Sequence, residues 1–363
     1  MTTESDADLL MHQGKKHTKK GLFCWYPNYV DAGNAYCKAA KIYAGLRCLN
    51  KAINSWHEAA HVYKEAQNTS AAGTCLESLG EFLIQSADED KKLNESYIIG
   101  IACFEDAAEL YKTGGNYQKH DDVLIKAVYA MQKYLEQSMK SRKNNSDASF
   151  STASFRSTTD TYKRLVQNAL KALEATWDRE DTVPYKLLDL YHDFILHAIR
   201  QGDIPTAVET QKRMLGFVST PSLNGTYDES KSVIARMKCP NQAAKTGLEM
   251  VVLCLSRDGD DVWARQEFDR MATLSGFRNS AEQKAAGALL AAYEERDPDQ
   301  LQDVIKNYSI FNFILADVSR MVRKLRIENG FAEASGANDP NKVNTATPYF
   351  DDEKEEIDPE DLR

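Results

Sequence analysis

A run of twelve small and aromatic positions organises the chain, and it is written three times. Ala32–Tyr43 reads AGNAYCKAAKIY, Ala52–Tyr63 reads AINSWHEAAHVY and Gly100–Tyr111 reads GIACFEDAAELY. Each copy opens on a small residue (Ala32, Ala52, Gly100) and places an aromatic four positions later (Tyr36, Trp56, Phe104). A pair of alanines follows (Ala39-Ala40, Ala59-Ala60, Ala107-Ala108), then a tyrosine (Tyr43, Tyr63, Tyr111). Residues three and four apart share one face of an α-helix, so the spacing predicts amphipathic helices. The small positions admit a neighbouring helix closely, and the aromatics fill the space between them. One such face cannot bury itself, so the copies must stack, as in a helical-repeat solenoid.

The first two copies start 20 residues apart, which is one helix plus its turn, so successive copies alternate as partners in helical hairpins. Breaks are expected near Gly45, Asn68, Ala87–Asp90 and Gly114-Gly115-Asn116. Residues 70–85 keep the small-residue face without the aromatic in register. Further helices are predicted from Tyr117 and over Tyr162–Trp177, Val183–Arg200, Thr206–Phe217, Asn241–Leu255, Val262–Leu274, Ala281–Glu295, Asp299–Tyr308 and Val318–Ile327. Residues 138–160, SMKSRKNNSDASFSTASFRSTTD, are dominated by Ser, Thr, Asn and charge and read as a flexible insertion prone to disorder. The expected organisation is a flexible N-terminus over 1–20 and an all-α, tetratricopeptide-like solenoid with a C-terminal helical bundle over 21–330. A polar linker and acidic tail follow over 331–363.

Composition supports the all-α reading. Only 18 glycines and 9 prolines occur in 363 residues, which suits long helices joined by short turns. The net charge is −9, but residues 351–363 hold eight acids against Lys354 and Arg363, a net of −6. The body is therefore nearly neutral, the opposite of a nucleic-acid binder. Seven cysteines occur without a C-x-x-C pair, which reads as reduced thiols of a cytoplasmic protein. The polar, acidic start is unlike a secretory signal, and no apolar run approaches the ~20 residues of a membrane span.

Candidate chemistry is sparse. His57-Glu58-Ala59-Ala60-His61 matches H-E-x-x-H, in which two histidines one helical turn apart hold zinc and the glutamate acts as base. The sister copies place Cys37 or Glu105 where His57 stands and Lys41 or Glu109 where His61 stands. Both histidines fall roughly 115–155° from the centre of the buried face, so a solvated helix face is expected and no metal. His192 and His197 read as the edge of an amphipathic helix, and Glu294-Glu295 as solvated charge. No phosphate-binding loop and no nucleophile–base pairing is apparent, so no catalytic residue or cofactor is expected and the chain reads as a binding protein. Gly21-Leu22-Phe23-Cys24-Trp25-Tyr26-Pro27 reads as an apolar loop beside Lys15, Lys16, Lys19 and Lys20. Its residues leave two readings open: packing back onto the first helices, or an exposed tip that meets a bilayer.

Two segments resemble the soluble NSF attachment proteins (SNAPs), nearest the gamma type. Gly21–Tyr43, GLFCWYPNYVDAGNAYCKAAKIY, is similar to the family's G-F-L-x-W-x-P-x-Y loop and the A-x-x-Y-x-K-A-A helix after it. Leu274–Gln302, LSGFRNSAEQKAAGALLAAYEERDPDQLQ, resembles its I-P-G-F-N-G-S-E and L-L-E-G-Y-D-x-x-D-x-D-Q segment. The resemblance spans about 21–330. Residues 138–160 depart from the pattern, and the closing Glu360-Asp361-Leu362-Arg363 resembles the alpha type's end.

The resemblance implies a twisted sheet of antiparallel helices that binds SNARE complexes, including syntaxin-type SNAREs, along one side. It implies recruitment and stimulation of the hexameric ATPase NSF, which pulls the SNARE bundle apart in vesicle-mediated transport and membrane fusion. Leu22, Phe23, Trp25 and Tyr26 match the membrane-contact loop. Asp358, Glu360, Asp361 and Leu362 fall in the tail that contacts NSF, with Leu362 matching the penultimate leucine needed for stimulation. No motif fixes the SNARE-contacting residues. A cytoplasmic protein held peripherally at membranes is implied. The alternative is a generic tetratricopeptide-like scaffold for some other peptide or protein.

Overall fold

Helices make up nearly all of the computed structural model, which describes residues 3–19, 26–89, 94–144, 152–218 and 226–327. The chain divides between Pro184 and Tyr185 into two units, a boundary that the expected solenoid with a C-terminal helical bundle over 21–330 did not place. The first holds α1 (Glu4–His17), α2 (Tyr29–Gly45), α3 (Leu49–Glu65), α4 (Thr69–Glu89), α5 (Asn94–Thr113), α6 (Tyr117–Asn144) and α7 (Thr152–Glu180). The second holds α8 (Tyr185–Arg200), α9 (Ile204–Met214), α10 (Val233–Arg236), α11 (Pro240–Ser256), α12 (Asp261–Met271), α13 (Ala281–Glu294), α14 (Pro298–Asn307) and α15 (Ala316–Lys324).

In the first unit each helix packs mainly on the next, and ring-on-glycine contacts set the direction. Tyr43, late in α2, reaches Asp8 in α1, while Tyr36, earlier in α2, lies on Gly14 near the end of α1, so the two run antiparallel. Tyr63 of α3 lies on Gly33 of α2, and Tyr111 and Phe104 of α5 lie on Gly73 and Gly80 of α4. The closest approach is between α4 and α5, where a Cβ built on Gly80 would stand 2.9 Å from the Gly100 carbonyl oxygen. The repeated tyrosine hydroxyls do not stay bare in the core. Tyr43 donates to Asp8, Tyr63 to Asn34 (2.8 Å) and Tyr111 to Glu77 (2.7 Å), each on the preceding helix.

The same tyrosines set the turns. The Tyr43, Tyr63 and Tyr111 carbonyls accept from the Cys48, Asn68 and Asn116 amides at 2.8–2.9 Å, five positions on. The residue between, Arg47, Gln67 or Gly115, takes a left-handed φ of 59°, 56° or 73°. This is a Schellman-type stop. The amide donor then opens the next helix, and Asn68 and Asn116 cap α4 and α6 through their side chains. The second unit repeats the device at Ala198–Asp203 and Ala292–Asp297.

Helices two apart are tied by side-chain bridges. Lys51 of α3 pairs with Glu4 and Asp8 of α1, and Arg164 of α7 with Glu105 of α5. Lys126 and Lys133 of α6 pair with Glu77, Glu81 and Asp88 of α4, and the thiols of Cys37 (α2) and Cys75 (α4) meet. Odd-numbered and even-numbered helices of this unit thus form two rows.

The second unit is built around α11, in which every residue from Thr246 to Leu255 is buried. A helix apolar all round must be enclosed, and α9, α10, α12, α13 and α15 all pack on it. The predicted helix over Thr206–Phe217 ends at Met214. Gly216 turns the chain at φ 91°, and a Cβ there would stand 2.5 Å from the Asp228 carbonyl oxygen. Phe217–Val218 then pairs antiparallel with Thr226–Tyr227.

Two expectations need correction. Residues 1–20, read as a flexible N-terminus, contain α1, which is started by a reciprocal capping box between Thr3 and Asp6 and buries Ala7 and Gly14. The insertion read over 138–160 is helical through Asn144 and again from Thr152, and only 145–151 lies outside the described residues. Its hydroxyls serve the helices: Ser138 donates to the Tyr134 carbonyl (2.8 Å), and Thr161 donates to that of Ser157 (3.0 Å).

Candidate interaction sites

The connection between α1 and α2 is where the resemblance implies a membrane-contact loop. α1 ends at His17 and α2 begins at Tyr29, yet the Asn28 amide donates to the His17 carbonyl at 2.9 Å. Both ends of the intervening segment are therefore held side by side at the end of the α1–α2 hairpin. Lys15, Lys16, His17 and Lys19 are exposed there, and the last turn of α1 is entirely basic but for Gly14. Tyr26 is 85% exposed. Leu22, Phe23 and Trp25 lie outside the described residues, as do Asp358, Glu360, Asp361 and Leu362 of the tail.

His57 and His61 lie exposed on α3, beside the buried Trp56, Ala59 and Ala60. Among the described residues no three His, Cys, Asp or Glu side chains converge as a metal site would require.

Buried polar side chains join helices. Asp121 of α6 receives a hydrogen bond from the Thr176 hydroxyl of α7, and its other oxygen lies 2.8 Å from His120 Nδ1. The hydroxyl points at the carboxylate and not at the imidazole, the reverse of a nucleophile–base–acid relay. Arg179 donates to Thr176 at 2.6 Å and stacks 4.1 Å over the Tyr117 ring. In the second unit, Glu267 lies within 3.4 Å of Lys212, Arg270 and the Trp263 indole nitrogen. Asp317 is flanked by Arg200 and Arg320.

Glu249 on α11, like Asp121, Glu267 and Asp317, is a buried acid that sequence reasoning missed. Its Oε1 accepts from the Leu315 amide (2.9 Å) and its Oε2 from Gln211 Nε2 (3.1 Å). Burial pushes its pKa up to about 7, against the pull of those hydrogen bonds and of Lys245. The only sequence signal was a lone acid inside the apolar run GLEMVVLCL. An open groove of about 390 Å³ beside Leu188, Ile234, Met237 and Pro240 carries no cluster of titratable groups.

Among the described residues no helix is long and apolar enough to cross a membrane. Compared with known families the chain matches no family model, and compared with curated proteins it matches none.

Proposed function

We propose that this chain is an adaptor of the SNAP kind, which binds assembled SNARE complexes and recruits and stimulates NSF for their disassembly in vesicle transport. In this reading the first unit is a tetratricopeptide-like solenoid, the second a helical bundle, and the protein is cytoplasmic and peripherally membrane-bound. The role is binding, with the chemistry supplied by the recruited ATPase.

The observation that carries the reading is the setting of the described residues that flank the apolar stretch of the matching segment 21–43. His17 and Asn28 are pinned together there, beside exposed lysines and the exposed Tyr26. An apolar tip among lysines suits an anionic bilayer, at about 1.5–3 kcal/mol per inserted side chain and about 1 per nearby lysine. Such a contact is weak alone and works beside a second one, here the SNARE bundle. The acidic tail suits long-range attraction to a basic ATPase surface, with Leu362 setting register.

The test is capture of purified NSF on immobilised SNARE complex, with and without this protein, at low and high salt. Salt-sensitive capture that requires residues 351–363 is expected. Absence of capture at low salt would refute the adaptor reading and leave a helical-repeat scaffold for another partner.

A further inference from the structure

Cys37 and Cys75 are 38 positions apart in sequence, yet their Sγ atoms lie 2.8 Å apart. They belong to α2 and α4, which are separated in sequence by α3, and α3 packs on both. In the repeat, Cys37 fills the position that Glu105 fills on α5. Glu105 takes two bonds, at 2.6 and 3.0 Å, from Arg164 on α7. This position thus faces the helix two further on in both copies. On α5 the bridge is an ion pair, and on α2 it is a pair of thiols.

Cys75 is buried, whereas Cys37 is half-buried and open to a small reagent. Among the described residues the other cysteines near the surface have no such partner: Cys48 and Cys239 turn to the carbonyls of Leu46 (3.9 Å) and Met237 (3.4 Å). A disulfide needs sulfurs at about 2.05 Å, less than 1 Å from where these already stand.

We propose that Cys37 and Cys75 form a reversible disulfide that locks α2 to α4 across α3, with a hydroperoxide as the oxidant. The hydrogen bond from Cys75 holds the Cys37 thiol below its usual range, helped by Lys41 one turn on and opposed by burial. The bond to Cys37 and its own burial push the Cys75 thiol up. Cys37 is therefore the attacking sulfur and Cys75 the resolving one. The Cys37 thiolate attacks the peroxide: an S–O bond forms, the O–O bond breaks, and the leaving oxygen takes a proton. The Cys75 sulfur then attacks the sulfenic sulfur: the S–S bond forms, the S–O bond breaks, and water leaves with the Cys75 proton. The two thiols lose two electrons and the hydroperoxide gains them, giving water and an alcohol, or two waters from hydrogen peroxide. A thiol reductant reverses the change.

The consequence is mechanical. Reduced, α2 and α4 touch through a hydrogen bond and can slide as the helices flex. Oxidised, the even row has a covalent link at that point, so the turn of the stack through α3 is fixed.

The test uses the full-length chain treated with about one equivalent of hydrogen peroxide. Free thiols are then blocked under denaturing conditions with N-ethylmaleimide, and unreduced peptides are mapped by mass spectrometry. A Cys37–Cys75 linked peptide that dithiothreitol releases is expected, with Cys48 and Cys239 blocked as free thiols. Hydrogen exchange in α3 should slow on oxidation. In Cys75→Ala the reaction should stop at a Cys37 sulfenic acid that dimedone traps. The wild-type map decides the matter even if that variant fails to fold: Cys37 and Cys75 both recovered as blocked thiols after peroxide would overturn the proposal.

Discussion

The Tyr63 ring lies against the backbone of Gly33, where a Cβ would stand 2.6 Å from ring Cζ, so two helices meet at a contact with no room for one methyl. Gly33→Ala should therefore overpack α2 against α3. Overpacking costs about 1–3 kcal/mol, and the helix-propensity gain of Ala over Gly returns at most about 1. A net loss of about 1–2 kcal/mol is expected in urea unfolding. Gly45, in the same helix, has open space at its Cβ position, and Gly45→Ala should be neutral or stabilising by up to about 1 kcal/mol. Equal effects at the two glycines would contradict the close-contact account.

Glu249 predicts a pH dependence of unusual sign. Its carboxyl titrates near 7 in the fold against an ordinary 4.5, so between those values the folded state holds more protons than the unfolded one. Stability must then fall as pH rises through this window, by an amount on the order of 3 kcal/mol across it. Glu249→Gln should match the wild type near pH 5 and exceed it near pH 8. The amide fits, because Gln211 Oε1 is buried without a hydrogen-bond partner among the described residues and can accept a hydrogen bond from the new amide N–H after the Gln211 side chain turns over. Chemical denaturation of both proteins at pH 5 and 8 decides it: parallel curves for the two would reject the assignment.

The repeat register was legible because its three copies carry their own turn signal. A tyrosine, four intervening positions and a helix-opening residue define each junction, and Asn68 and Asn116 fell at predicted breaks. α1 was not legible by periodicity, since only Ala7 and Gly14 of its 14 residues are buried. Its capping box at Thr3 and Asp6 was the available cue. The ends of α6 and α7 were missed for a related reason. Residues 156, 157 and 160 of α7 are exposed, so nothing selects apolar positions there, and Ser and Thr satisfy their hydroxyls on the preceding turn. The Cys37–Cys75 pair and the Glu249 cage join residues 38 or more positions apart, which no local pattern records.

The tip between α1 and α2 carries a prediction for lipid binding. Phe23→Ser with Trp25→Ser should reduce co-sedimentation with anionic vesicles by about 10-fold or more, from the loss of apolar insertion. Salt should weaken what remains, through Lys15, Lys16 and Lys19. Unchanged binding by the double variant would place the lipid contact elsewhere.

The tail carries a separate one. Leu362→Ala should leave binding to SNARE complex intact and reduce stimulation of NSF ATPase. Charge reversal at Asp358, Glu360 and Asp361 should instead slow recruitment, most strongly at low salt. Full stimulation by the Leu362 variant in a steady-state ATPase assay would remove that residue from the mechanism.

The serial packing of the first unit also governs how it bears load. A pull applied along the stack passes from helix to helix through one interface at a time, some of them ring-on-glycine seats, with the side-chain bridges of each row acting as parallel struts. Links in series yield at the weakest, so the tensile limit of the unit is set by a single interface and not by the sum of its core. Struts of ion pairs stretch and reform, whereas a covalent strut between α2 and α4 would stiffen one segment and shift the strain to its neighbours. A body built this way is compliant under small forces and fails locally under large ones.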